Sequence, residues 1–67
     1  MNKISPFLEK KKILDNIDQI FNELIEELNN LQNVSIEINN KIDFYLIDNF
    51  RNTISEIYNN FINIIKK

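Results

Sequence analysis

Large apolar residues recur along this chain at steps of three and four, and few other features are available from which to build a fold. Stepped at about 100° per residue, Ile13, Leu14, Ile17, Ile20, Phe21, Leu24, Ile25, Leu28 and Leu31 fall in one continuous sector. Asp15, Asn16, Asp18, Gln19, Asn22, Glu23, Glu26, Glu27, Asn29 and Asn30 fill the rest of the circumference. A second stripe, formed by Ile47, Phe50, Ile54, Ile57, Phe61 and Ile64 and flanked by Tyr58 and Ile65, repeats at the same spacing. Both patterns predict amphipathic helices. Neither stripe contains Ala or Gly, so the helices should pack side by side at fairly wide separation.

Length turns those stripes into a constraint. The 67 residues allow one small domain, 1–67, and a chain of that size hides only about 60% of its unfolded surface. Cysteine is absent, so neither disulfides nor a thiolate metal site can compensate for a small core. Oligomerisation or a partner is the remaining route to stability. The lack of cysteine also fits a reducing compartment, and the default expectation is a cytoplasmic protein.

Composition argues against several functions. The net charge is −2 with pI near 4.9, and no basic face of the kind that displaces counterions from nucleic acid is evident. The longest apolar run, Phe44 to Ile47, is far short of the roughly 20 residues that span a bilayer. Lys3 could open a secretory leader, but Ser5, Pro6, Glu9 and Lys10 to Lys12 interrupt the apolar stretch such a leader needs. Abundant Asn, Ile and Lys beside no Ala or Gly match the drift of an AT-rich genome. The Asn pairs at 29–30, 39–40 and 59–60 are read as part of that drift, not as a repeat.

Helix boundaries have local signals. Ser5 before Pro6 predicts a start, with the hydroxyl accepting an orphan N–H and Pro giving up a donor the first turn cannot use. Glu9 suits the positive helix end, whereas Lys10, Lys11 and Lys12 oppose it. Asn29, Asn30 and Asn33 cluster after the first stripe, and Asn tolerates the left-handed conformation that ends helices. Lys66 and Lys67 suit the negative end of the last helix.

Residues 34–47 admit two readings. As helix they place Ile38, Ile42, Tyr45 and Leu46 together, but rotated by more than about 100° from the following stripe, which requires a bend or different partners. As strands, Val34, Ile36 and Ile38 alternate with polar neighbours, as do Ile42, Phe44 and Leu46. A two-residue Asn39-Asn40 turn would put the two apolar sets on opposite faces. A three-residue Asn39–Lys41 loop would align them but usually wants Gly. Helix is the preferred reading.

No group of residues carries recognisable chemistry. Asp15, Asp18, Asn22 and Glu26 lie near one line of the first helix, but helical carboxylate sites for transition metals usually add a His, and the chain has none. Without His or Cys the commonest general base and the thiolate nucleophile are missing, and Ser5, Ser35 and Ser55 have no visible base. Lys10 to Lys12, with Lys3, form a short basic cluster read as solvated. The segment Phe61 to Lys67 could lie in a membrane interface but is better explained as bundle core.

The expected fold is all-α: an antiparallel helical hairpin with helix 1 at about 6–32, a turn at about 32–35 and a second arm at about 35–66, broken near 43–48. A homodimer or another protein would complete it to a bundle. The alternative is α+β, helix, β-hairpin, helix. Core and interface positions are Ile13, Ile17, Ile20, Phe21, Leu24, Leu28, Leu31, Ile47, Phe50, Ile54, Ile57, Phe61 and Ile64. No catalytic, cofactor or metal residue is nominated. The expected role is a non-enzymatic interaction module, an adaptor or structural subunit or an inhibitor or regulator, with a small dimeric nucleic-acid-binding regulator as the alternative.

Overall fold

The computed structural model describes residues 5–67, so the expectation attached to Lys3 lies outside the described residues. Two helices account for nearly all of it: α1 (Pro6–Glu37) and α2 (Lys41–Ile65), antiparallel and packed against each other. The fold is an all-α helical hairpin. Residues 34–47 contain no strand, so the β-hairpin alternative is overturned.

At about 1.5 Å per residue, α1 alone is close to 48 Å long, and the molecule measures 57 × 23 × 9 Å along its principal axes. Its radius of gyration is 16.5 Å, against about 11 Å for a compact chain of this length. The molecule is a plate one helix thick.

The start of α1 differs in one detail from expectation. Pro6 occupies the first helical position, but the Ser5 side chain makes no capping hydrogen bond; only its carbonyl engages, accepting the Glu9 N–H at 2.9 Å. The first turn therefore rests on Pro geometry and on the acidic Glu9.

The turn lies later than expected, at 38–40 and not 32–35, and the second arm begins at Lys41 and runs unbroken through 43–48. Asn29, Asn30 and Asn33 remain helical. The residue that ends α1 is Asn39, with φ 59°, the only positive φ outside glycine among the described residues. Its N–H donates to the Ile36 carbonyl at 3.0 Å, while the Asn40 N–H reaches back to the Ser35 carbonyl at 2.8 Å. This pair of reversed bonds is a Schellman cap, with Asn in the place Gly usually takes.

Asn40 then starts the next helix. Its Oδ1 accepts the Asp43 N–H at 3.0 Å, and its Nδ2 donates to the Asp43 carboxylate at 2.8 Å, a reciprocal cap at the positive end of α2. These two Asn residues separate Ile38 from α2, while Ile42, Tyr45 and Leu46 remain in one unbroken helix with the following stripe and are exposed. Replacing Asn40 with Ala should destabilise the fold by about 1 kcal/mol. Asn39→Gly should leave stability equal or higher, because glycine adopts positive φ without steric cost. Urea unfolding followed by circular dichroism checks both; a loss from Asn39→Gly as large as that from Asn40→Ala would contradict the left-handed cap.

Candidate protein-interaction face

The seam between the helices is narrow. From α1 it takes Leu14, Ile17, Phe21, Ile25, Leu28, Gln32 and Ser35, all at least partly buried. From α2 it takes Phe44, Ile47, Arg51, Ile54, Tyr58, Ile62 and Ile65. Only one apolar residue, Leu14 at 8% exposure, is fully buried among the described residues. Phe21 and Tyr58 stack across the seam with ring centroids 4.0 Å apart and planes 10° apart. An aromatic pair of this kind adds about 0.5–1.5 kcal/mol beyond the area it buries.

Two of the three fully buried side chains are polar. Ser35, 3% exposed, returns its hydroxyl to the Leu31 carbonyl at 3.1 Å, satisfying itself within α1. Gln32, 8% exposed, bridges the helices: its Nε2 donates to the Phe44 carbonyl at 3.3 Å and to Asp48 Oδ1 at 3.4 Å. Arg51, the chain's one arginine, donates to Gln32 Oε1, to Asp48 Oδ1 and, at 3.0 Å, to Asn29 Oδ1. Every polar group in this cluster finds a partner, and no buried side-chain nitrogen or oxygen among the described residues is left without one.

Further along, the Tyr58 hydroxyl donates to Asp18 Oδ1 at 3.0 Å. The cross-helix polar contacts, Asn29 with Arg51 and Asp18 with Tyr58, mark one broad side of the plate as the more polar, with Ile36 exposed there at 59%.

The other side is apolar. On each helix a second stripe lies about a quarter turn from the seam, in the same angular sense: Ile13, Ile20, Leu24, Leu31 and Val34 on α1, continued by its cap residue Ile38, and Leu46, Phe50, Ile57, Phe61 and Ile64 on α2. Two antiparallel helices are related by a local two-fold axis normal to the plate, so equal offsets place both stripes on the same side. A groove lined by Ile13, Ile17, Phe61 and Ile65 joins them near the open end. All eleven stripe residues are exposed, Ile20 at 64% and Ile57 at 62%. Glu23 and Glu27 flank this face on α1, and Asn49 and Glu56 on α2.

Of the nominated positions, Ile17, Phe21, Leu28, Ile47 and Ile54 lie in the seam; Ile13, Ile20, Leu24, Leu31, Phe50, Ile57, Phe61 and Ile64 lie on the open face. The apolar sector recognised in the sequence is thus two adjacent stripes with different fates. Gln32, which the sequence reading assigns to the turn, lies instead within the turn-proximal half of the seam, and that reading does not include Arg51 and Ser35 in the core. Their signal is register: Gln32 and Ser35 continue the spacing of Leu14, Phe21, Ile25 and Leu28.

Asp15 pairs with Lys11 at 3.0 Å and Asp18 receives the Tyr58 proton, so two of the aligned acidic residues are engaged within the hairpin. Among the described residues no three His, Cys, Asp or Glu side chains converge, and no helix is long and apolar enough to cross a membrane.

The polar seam makes two measurable demands. Gln32→Leu leaves Arg51 and Asp48 short of a partner and should cost about 1–3 kcal/mol in urea unfolding, part of which the double change with Arg51→Leu recovers. Partial burial against Phe21 raises the Tyr58 phenol above its ordinary value of 10.0, and the bond and charge of Asp18 raise it further. The neutral phenol is the form the fold prefers, so its contribution is intact below pH 10 and disappears as pH rises through the raised value. Tyr58→Phe should remove that part of the alkaline destabilisation while keeping the stack, as pH-dependent melting would register.

Comparison with protein-family models, curated proteins and solved structures finds no significant match to this chain.

Proposed function

We propose that the chain is a non-enzymatic protein-interaction module, an adaptor or structural subunit or a small inhibitor or regulator, that works through the open apolar face. The observation carrying this reading is the amount of surface left uncovered. At 8.1 kDa, a compact protein exposes about 4,500 Å², whereas this chain exposes 5,833 Å². The excess, about 1,300 Å², is larger than the roughly 800 Å² that one partner contributes to a stable interface.

The energetics point the same way. Removing the exposed part of each stripe residue from water contributes on the order of 1 kcal/mol, and eleven such residues together contribute on the order of 10 kcal/mol. That is the scale of what association itself costs in lost freedom. Fold and binding are therefore coupled: the hairpin hides too little alone and enough when covered. A cytoplasmic setting, supported by the absence of cysteine, belongs to the same proposal.

One observation favours the second reading, a small dimeric nucleic-acid-binding regulator. The antiparallel hairpin gathers Lys10, Lys11 and Lys12 with Lys66 and Lys67 at its open end, and Lys10, Lys11 and Lys66 line one shallow groove with Phe7. Steeply salt-dependent binding to mixed RNA and DNA would favour that reading over the first.

The test of the preferred reading is association. Sedimentation equilibrium of the isolated chain should show an assembly at micromolar concentration or, where the partner is a different protein, a chain that melts without cooperativity. Leu24→Asp should abolish assembly and lower helicity together, instead of releasing a folded monomer, because an isolated carboxylate cannot enter an apolar interface without a large desolvation cost. A wild-type monomer that melts cooperatively at micromolar concentration would overturn the proposal.

A further inference from the structure

We propose that the occupant of the apolar face is a second copy of this chain, laid on it head to tail so that the open end of each hairpin covers the turn of the other. This deepens the reading of that face as an interaction surface and rests on it.

Charge selects the arrangement. Among the described residues, the open end, residues 5–15 and 61–67, holds five lysines against Glu9 and Asp15. The remainder, residues 16–60, holds eight carboxylates against Lys41 and Arg51. The hairpin is therefore positive at one end and negative over the rest. A dimer with both open ends together stacks like charge on like charge; a head-to-tail dimer alternates them.

The levels match residue by residue. The contacts of Tyr58 with Asp18 and of Arg51 with Asn29 put Leu24 beside the Ile54–Ser55 step at the middle of the hairpin. Lys11 and Glu37 lie equally far from Leu24 along α1, on opposite sides, and Asp43 and Lys66 lie equally far from that step along α2. A two-fold axis through the middle, in the plane of the face and across the helices, lays α1 on α1 and α2 on α2. It brings Lys11 level with Glu37 of the second copy and Lys66 level with its Asp43, although both lysines stand on the polar side and Lys11 pairs with Asp15, so the attraction acts between whole ends and not as direct ion pairs.

The apolar stripes are self-complementary under the same operation. Leu24 meets Leu24 on the axis, and Phe50 comes within about 3 Å of the level of Ile57 and Leu46 within about 3 Å of that of Phe61, these last two pairings each occurring twice as an isologous interface requires. Glu23 and Glu27 come near their own copies and oppose the arrangement. All of these charges are solvent-exposed, so salt weakens this repulsion and the attraction between ends alike, and the orientation rests on the net of the two.

A single introduced cysteine reports the orientation without ambiguity, because the chain has none of its own. Lys41→Cys, at the start of α2 and off the apolar face, is labelled with a nitroxide and the distance between the two labels is measured by pulsed electron resonance, beside sedimentation and thermal melting of the labelled chain. Head-to-tail packing places the labels roughly 40 Å apart, from about 1.5 Å of rise per residue on either side of the middle. A distance below about 25 Å, two helix spacings plus the label arms, would show open ends together and overturn the inference while leaving the interaction reading intact. A non-cooperative monomer would remove the second copy as occupant and leave a different partner for the face. A cooperatively melting monomer would overturn both.

Discussion

Two cylinders touch along a line, and an amphipathic helix usually needs more than a line of cover. Here each helix carries an apolar sector spanning two adjacent stripes, and the contact between α1 and α2 hides only one of them. Nothing in the hairpin can improve on this: with two helices, closing over the second stripe of either would uncover that helix's own first stripe. The thin plate, the exposed Ile, Leu and Phe residues and the proposed need for a partner all descend from that geometric limit.

The seam itself is not uniformly apolar. Its open half is made of Leu14, Ile17, Phe21 and Ile65, and its turn-proximal half is made around Gln32, Ser35, Asp48 and Arg51. The polar half adds little net stability compared with packed aliphatics, because desolvating an arginine offsets much of what its bonds return. What it contributes is discrimination. Sliding α2 by one turn would strand the guanidinium and the Gln32 amide away from their partners, whereas Leu and Ile would accept the slip at small cost.

Legibility in the sequence followed the physics of each feature. The two apolar stripes were plain because large side chains at helical spacing leave few alternatives, and Phe21, Leu28 and Ile54 lie in the seam. The turn was misplaced because three Asn near 29–33 offered the same residue type as the true cap, and residue type alone does not say which Asn adopts a positive φ. In the sequence Asn39-Asn40 reads as part of a β-hairpin loop of two or three residues, and residue type alone does not show that the pair closes one helix and opens another. The conflict of phase through 34–47 is real and only partly relieved by the turn: Ile42 and Tyr45 share α2 with the later stripe, lie off the seam and stay exposed at 74% and 63%. The split of each sector into a covered and an uncovered stripe was beyond periodicity, since it depends on which neighbour arrives first, and so was the meeting of Gln32 with Arg51, which are separated in sequence by most of a helix and the turn.

Asn40 belongs to both helices at once, as the last donor of the cap on α1 and the first acceptor for α2. The connection therefore has no slack, and the rotational phase of α2 relative to α1 is set by the length of the turn as firmly as by the seam. Inserting or removing a single residue there would turn α2 by about 100° about its own axis relative to its entry point. Phe50 and Ile57 would swing out of the plane they share with Leu24, or Arg51 would leave Gln32. Composition of the face and length of the turn are thus one heritable unit: a change in the number of residues between Ser35 and Asp43 would be tolerated only with a compensating rewrite of the α2 pattern.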